Sequence, residues 1–277
     1  MATVRPPAVA GLFYPADPDE LAATVDEMLM QAERALAAAE DQGPAGDLGA
    51  HRAPKAVIAP HAGYVYSGST AALAYALLRP HRDEIRRVVL LGPTHRVACW
   101  GLAHPQADAF ATPLGMVPVE RPSRDVPHVV HSARVHEQEH SLEVHVPFLQ
   151  RALGDFTLAP YAVGQAEPED VADALEALWG GPETVIVVSS DLSHFHAYDA
   201  AQRIDTETVG AILAARGPLD HEQACGATPI NGLMLAAQRH GLAPVLLGMC
   251  NSGDTAGDPR RVVGYASVAY AQAARAA

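Results

Sequence analysis

Four short, unbroken apolar runs bounded by glycine and proline punctuate this chain: Lys55–Ala59, Val88–Gly92, Val185–Ser190 and Val245–Met249. Stretches long enough for amphipathic helices separate them. Continuous Val/Ile/Leu runs of this length predict strands buried on both faces of a mainly parallel sheet. The fold class expected is therefore α/β, a central mainly parallel or mixed sheet flanked by helices. In such sheets ligands bind outside the carboxyl ends of the strands, where residues distant in sequence converge. Each run leads directly into reactive chemistry: Pro60-His61, Pro93-Thr94-His95, Asp191-Leu192-Ser193-His194 and Cys250. These side chains are expected to share one rim.

No Ser/Gly/Pro-rich linker divides the 277 residues, and 49% hydrophobic content supplies a sizeable core, so a single domain spanning 1–277 is expected. The one loose stretch, Ala39–Pro54, reads as a connection after an N-terminal helix. A formal charge of −13 argues against nucleic-acid partners, which need a basic footprint. No apolar run approaches the roughly 18 residues of a membrane span, and Met1-Ala-Thr-Val-Arg-Pro-Pro7 lacks the apolar core of a signal peptide. A cytoplasmic protein away from membranes is expected. Cys99, Cys225 and Cys250 are odd in number and widely spaced, which fits a reducing compartment better than a disulfide framework.

Periodicity predicts helices over about 20–39, 69–78, 168–179, 198–215 and 230–240. It predicts further strands over 156–163 and 262–270, and an edge hairpin between Trp100 and Val119. Pro147 leaves the start of the helix after Glu137 open.

His61 and His95 occupy equivalent positions after two strands, and neutral imidazole is the commonest protein ligand for zinc, copper, iron and nickel. Cys250 completes a His/His/Cys set with open coordination positions, although a lone cysteine is also an ordinary small hydrophobe. Asp191 and His194 suit an oriented acid/base pair; equally, Asp191 can cap the next helix with His194 and His196 on its first turn. Glu139, His140 and Glu143 form a second tier, either supporting groups or a solvated charged face. The glycine fingerprints of dinucleotide and P-loop sites and the nucleophile elbow of α/β-hydrolases are all absent.

Six segments, Arg5–Pro15, Ala59–Gly68, Leu91–His95, Glu139–Pro147, Ser189–His194 and Asn251–Asp254, together resemble the Memo family, in the family's order and over nearly the whole chain. Prokaryotic members are component B of the AmmeMemoRadiSam system, which implies AMMECR1-like and radical-SAM proteins as partners. The family's fold is similar to class III extradiol dioxygenases, which are non-haem iron enzymes. The resemblance implies metal ligands at His61, His95 and Cys250, with Asp191 and His194 completing the pocket. A thiolate in place of the dioxygenase carboxylate favours copper or zinc alongside iron.

The leading expectation is thus a redox-active iron or copper protein, zinc being the third metal, acting on a small-molecule substrate that the sequence does not name. His194, oriented by Asp191, would transfer protons. One alternative is a metal-free hydrolase using Cys250, His194 and Asp191. Another, implied by animal relatives, is a binding module for a phosphotyrosine peptide, against which the scarcity of basic residues near the site loops counts.

Overall fold

The computed structural model describes residues 2–40, 53–121 and 126–272. Most of the expected 39–54 connection lies outside them. The strands are β1 (Val4–Arg5), β2 (Ala56–Ala59), β3 (Arg87–Pro93), β4 (Leu102–His104), β5 (Ala109–Thr112), β6 (Gly115–Pro118), β7 (Val129–His131), β8 (Thr157–Val163), β9 (Thr184–Ser189), β10 (His194–His196), β11 (Leu242–Asn251) and β12 (Val262–Gln272). Among the described residues seven α-helices accompany them: α1 (Pro18–Glu40), α2 (Tyr64–Leu78), α3 (Ala133–Glu137), α4 (Val146–Leu153), α5 (Pro168–Leu178), α6 (Tyr198–Leu213) and α7 (Ala227–Arg239).

The expected α/β architecture is present. A nine-stranded sheet runs β10-β12-β2-β9-β3-β8-β4-β7, with β11 also on β12. Its centre, β2-β9-β3-β8, is parallel, and β12 and β4 flank it antiparallel. The hairpin β5-β6 joins β1 in a separate three-stranded sheet.

Alternation along the central strands builds two cores. Val57, Val88, Leu90, Val185 and Val187 face α1, α2 and α4, whereas Ile58, Val89, Leu91, Ile186 and Val188 face α5, α6 and α7. Burying each such side chain contributes about 1.5–3 kcal/mol, which is why the central strands carry no polar face. Helix α1 offers Leu21, Val25 and Leu29 to this packing, all fully buried at four-residue spacing.

Helix α2 begins five residues before the expected Ser69. The aromatic stretch Tyr64-Val65-Tyr66, a poor helix former taken alone, is held in the first turn because the Tyr64 N–H donates to Phe13 O and its hydroxyl to Val144 O. After Glu143–His145, a single 3₁₀ turn, Pro147 sits in the first turn of α4, where its missing N–H costs nothing.

The N-terminal segment is strapped onto this region by a buried ion pair between Arg5 and Glu143. Arg5 also donates to His136 O and Glu139 O, and Glu143 accepts from the Ala8 and Val9 N–H groups and the Tyr14 hydroxyl. Removing one partner strands the other charge, at a cost of about 3–5 kcal/mol. Arg5→Met is therefore expected to lower the urea unfolding midpoint strongly, while Arg260→Met, which breaks an exposed pair with Asp258, leaves it unchanged.

Candidate metal centre

Parallel pairing decides what meets at the carboxyl edge. Ala59 is in register with Ser189, and Leu91 with Val188, so the segments after β2, β9 and β3 emerge side by side. His61 follows β2, Asp191 follows β9 and His95 follows β3. A third imidazole arrives from outside the sheet: His140, in the turn before α4. One ring nitrogen from each of His61, His95 and His140 lies within 4.8 Å of the others, a trio able to hold a metal ion. The rings pack at 4.7 to 5.6 Å between centroids.

Hydrogen bonds assign the lone pairs. Ser189 Oγ donates its one proton to Ser141 O (2.6 Å), so it accepts from His61 Nδ1 at 2.6 Å, and His61 Nε2 carries a lone pair. His95 Nδ1 donates to Glu139 Oε1 (2.9 Å), which leaves its Nε2 as the acceptor too. His140 Nδ1 is buried with no hydrogen-bond partner; a Glu139 oxygen stands 3.5 Å away without bonding geometry. Two imidazoles tied through Nδ1 to hydroxyl or carboxylate, with a third ring nitrogen within 4.8 Å, have the donor set of a metal site. The residues present fit a metal ion.

Electrostatics point the same way. Burial, reinforced by His95 and His140, holds the His61 imidazole well below the usual histidine range, and burial brings His140 down to about 4. These rings are neutral donors. Burial alone would push the Glu139 carboxyl up, but hydrogen bonds from the His95 ring and from the His95 and Ser141 N–H groups outweigh it and hold it at about 2. Glu139 is thus an ionised, buried acceptor that fixes both His95 and the turn carrying His140.

The cysteine in contact with a member of the trio is Cys225, which meets His61. Cys225 Sγ lies 3.4 Å from His61 Nε2 and accepts from the Asp191 N–H at 3.3 Å. Cys250 lies at the same edge, but β12 separates β11 from β2, which places it two strands, or about 10 Å, from the His61 column. Its Sγ instead meets Thr70 Oγ1 on α2 at 3.0 Å. Cys225 is delivered by the loop before α7. Gly226 lets that loop lie against β9, since a Cβ there would sit 2.5 Å from Ser189 O. The strand-end argument missed Cys225 because no strand precedes it; the Cys-Gly step at a helix start was the available signal.

Asp191 and His194 do not form the expected pair. Asp191 Oδ1 accepts from the His61 N–H at 2.8 Å and from the Ala62 N–H at 3.3 Å, so it shapes the His61 turn. Burial, opposed by these two bonds, brings its pKa up to about 7. It caps no helix: His194–His196 form β10, and α6 starts at Tyr198 with Ala197 as its N-cap. His194 nonetheless lines a cavity of about 410 Å³ together with His140 and Asp191. A second cavity, of about 720 Å³, reaches His95 and Cys225 from the other side, with the exposed Trp100 at its wall. Glu143, the other second-tier residue, belongs to the Arg5 strap.

Residues 5–269 match the family of Memo-like proteins. The chain belongs to the Memo family. MEMO1 family proteins of Thermoplasma volcanium, Methanosarcina barkeri and Aquifex aeolicus are 32%, 34% and 34% identical to it over 96% of this chain and 97 to 99% of theirs. In this Memo-family chain no helix among the described residues is long and apolar enough to cross a membrane.

Outer groups that orient metal-ligating histidines are typically worth 10- to 100-fold in affinity. Glu139→Gln is accordingly expected to weaken zinc binding by about that factor, read by competition with a chromophoric chelator, whereas His240→Gln, whose ring bonds Glu176 elsewhere, leaves it unaltered.

Proposed function

We propose that His61, His95 and His140, with Cys225 as the thiolate, hold an iron or copper ion, and that this Memo-family protein is redox-active toward a small-molecule substrate. The observation that carries the reading is that one ring nitrogen from each of His61, His95 and His140 falls within one cluster, while the Nδ1 atoms of His61 and His95 are already spent on Ser189 and Glu139. Mixed imidazole and thiolate donors suit copper and iron, and zinc as well. Such an ion supplies electron transfer or Lewis-acid polarisation when bound.

The chain's own residues do the rest. Cys225 lies beside His61, and burial together with the nearby Asp191 pushes its thiol well up. In the absence of a cation it is a poor nucleophile; coordination is the physical route to its thiolate. The metal-free hydrolase would need Cys250 as its thiolate, and burial raises that thiol too, against the opposing hydrogen bond with Thr70. His194 lines the substrate-sized cavity beside His140, and burial holds it below the usual histidine range, which keeps the ring neutral and ready to accept a proton. Asp191 positions the His61 turn. The family likeness is what supports AMMECR1-like and radical-SAM proteins as partners.

Cobalt(II) titration tests the ligand set. Cys225→Ser is expected to abolish the thiolate-to-cobalt charge-transfer absorption and weaken binding at least tenfold, and Cys250→Ser to leave both intact. The reverse pattern would restore Cys250 as the ligand, and equal retention in both variants would remove thiolate ligation. His194→Ala is expected to keep full metal content while reducing reductant-dependent oxygen consumption by about 10²- to 10⁴-fold, the range for a general acid/base group; loss of metal would make His194 a ligand instead.

A further inference from the structure

The cavity that reaches the trio through His140 opens past a group the proposed chemistry does not use. Arg261 lines it, together with Phe13, Tyr66 and Tyr265. Its guanidinium lies over the ring of Phe195, with Cζ 4.2 Å from the centroid. Only its main-chain N–H is engaged, by Asp258 O at 3.0 Å; among the described residues no carboxylate pairs with the side chain. The nearest candidate in sequence, Asp258, is already gripped by the neighbouring Arg260, through Nε to both carboxylate oxygens at 3.1 and 3.0 Å.

Phe195 has no role in the core. It is 59% exposed and adopts φ +65°, a left-handed conformation that is a genuine outlier for a bulky side chain. The irregularity between His194 and His196 on β10 turns it out of the sheet while both histidines stay paired with β12. What the exposed ring does is support the guanidinium from one face. Arginine stacked in this way keeps its planar fork of donors free for a carboxylate.

We propose that Arg261, backed by Phe195, is the anion-recognition residue of this cavity, and that the substrate class is small aromatic carboxylic acids. The proposal rests on the reading of the histidine trio as the reaction centre. At about 410 Å³ the cavity takes a single-ring molecule, with Tyr66, Tyr265 and Phe13 as its apolar walls. The carboxylate end meets Arg261 at the mouth, and the ring end points toward His140 and His194. Two acids share the lining: Asp258, held by Arg260, and Asp191, whose Oδ1 is spent on the His61 turn.

Phenylacetate, phenylacetamide and phenyl phosphate are the probes, titrated calorimetrically into the zinc-loaded full chain, with zinc content measured in parallel. A hydrogen bond to a charged group is worth enough to set an expected preference of about tenfold for phenylacetate over the isosteric amide. Arg261→Gln is expected to erase that preference, Arg261→Lys to retain part of it, and zinc content to stay unchanged in both, because Arg261 is exposed and hydrogen-bonds none of the three histidines. A parent protein without the preference, a preference that survives Arg261→Gln, or tighter binding of phenyl phosphate than of phenylacetate would each overturn the proposal. Failure of the protein to bind zinc, with the Arg261-dependent preference intact, would instead count against the metal reading and leave the anion site standing.

Discussion

Everything at the site depends on the parallel alignment of β2, β9 and β3. With Ala59 opposite Ser189 and Leu91 opposite Val188, three chain segments leave the sheet at one level. Parallel strands can be joined only by crossovers, so the helices α2 and α6 that start soon after the site loops also hold the sheet's two faces. A one-residue slip of β9 would turn Val187 and Val188 to the wrong cores and displace Asp191 from the His61 N–H in the same movement. Core packing and site geometry are one constraint.

Onto that rim the fold adds groups by hydrogen bonding. Glu139 accepts from the His95 main chain and ring and from the His140 and Ser141 N–H groups. One buried carboxylate therefore couples a strand-end histidine to a histidine of a different segment. Its charge is tolerated because its oxygens are saturated by donors, the condition for burying an ion. Arg5 acts on the same turn from outside, bonding Glu139 O while pairing with Glu143. The N-terminal segment, far from the reactive atoms in sequence, is thereby part of the scaffold that places His140.

The electrostatic state of the cluster follows from burial. Closely packed imidazoles in a desolvated place repel one another when charged, and burial lowers His61 and His140, so these two rings are held neutral and offer a lone pair. The adjacent Cys225 thiol is kept protonated by the same desolvation. Nitrogen lone pairs beside a protonated thiol form a site able to hold a cation, which would draw the proton off sulfur. Cavities on either side give that centre two approaches, one past Trp100 and one past Tyr66 and Arg261.

Periodicity and composition determined the α/β class, the central strands, most helix spans and the strand-end placement of His61 and His95, because these depend on local hydrophobic patterning and on a general property of parallel sheets. The segments carrying the family likeness were legible for the same reason: they are contiguous. The tertiary structure alone placed a cysteine, Cys225, against His61. Cys250 satisfies the strand-end rule but sits two strands away, while Cys225 reaches His61 through a loop whose path depends on Gly226 packing against β9. It likewise decided that Asp191 serves the His61 turn rather than His194, and that His140 and Glu139 belong to the centre rather than to a solvated face. These are contacts between segments 44 to 164 residues apart. Their distances are set by strand order and desolvation, which no local pattern in the chain encodes.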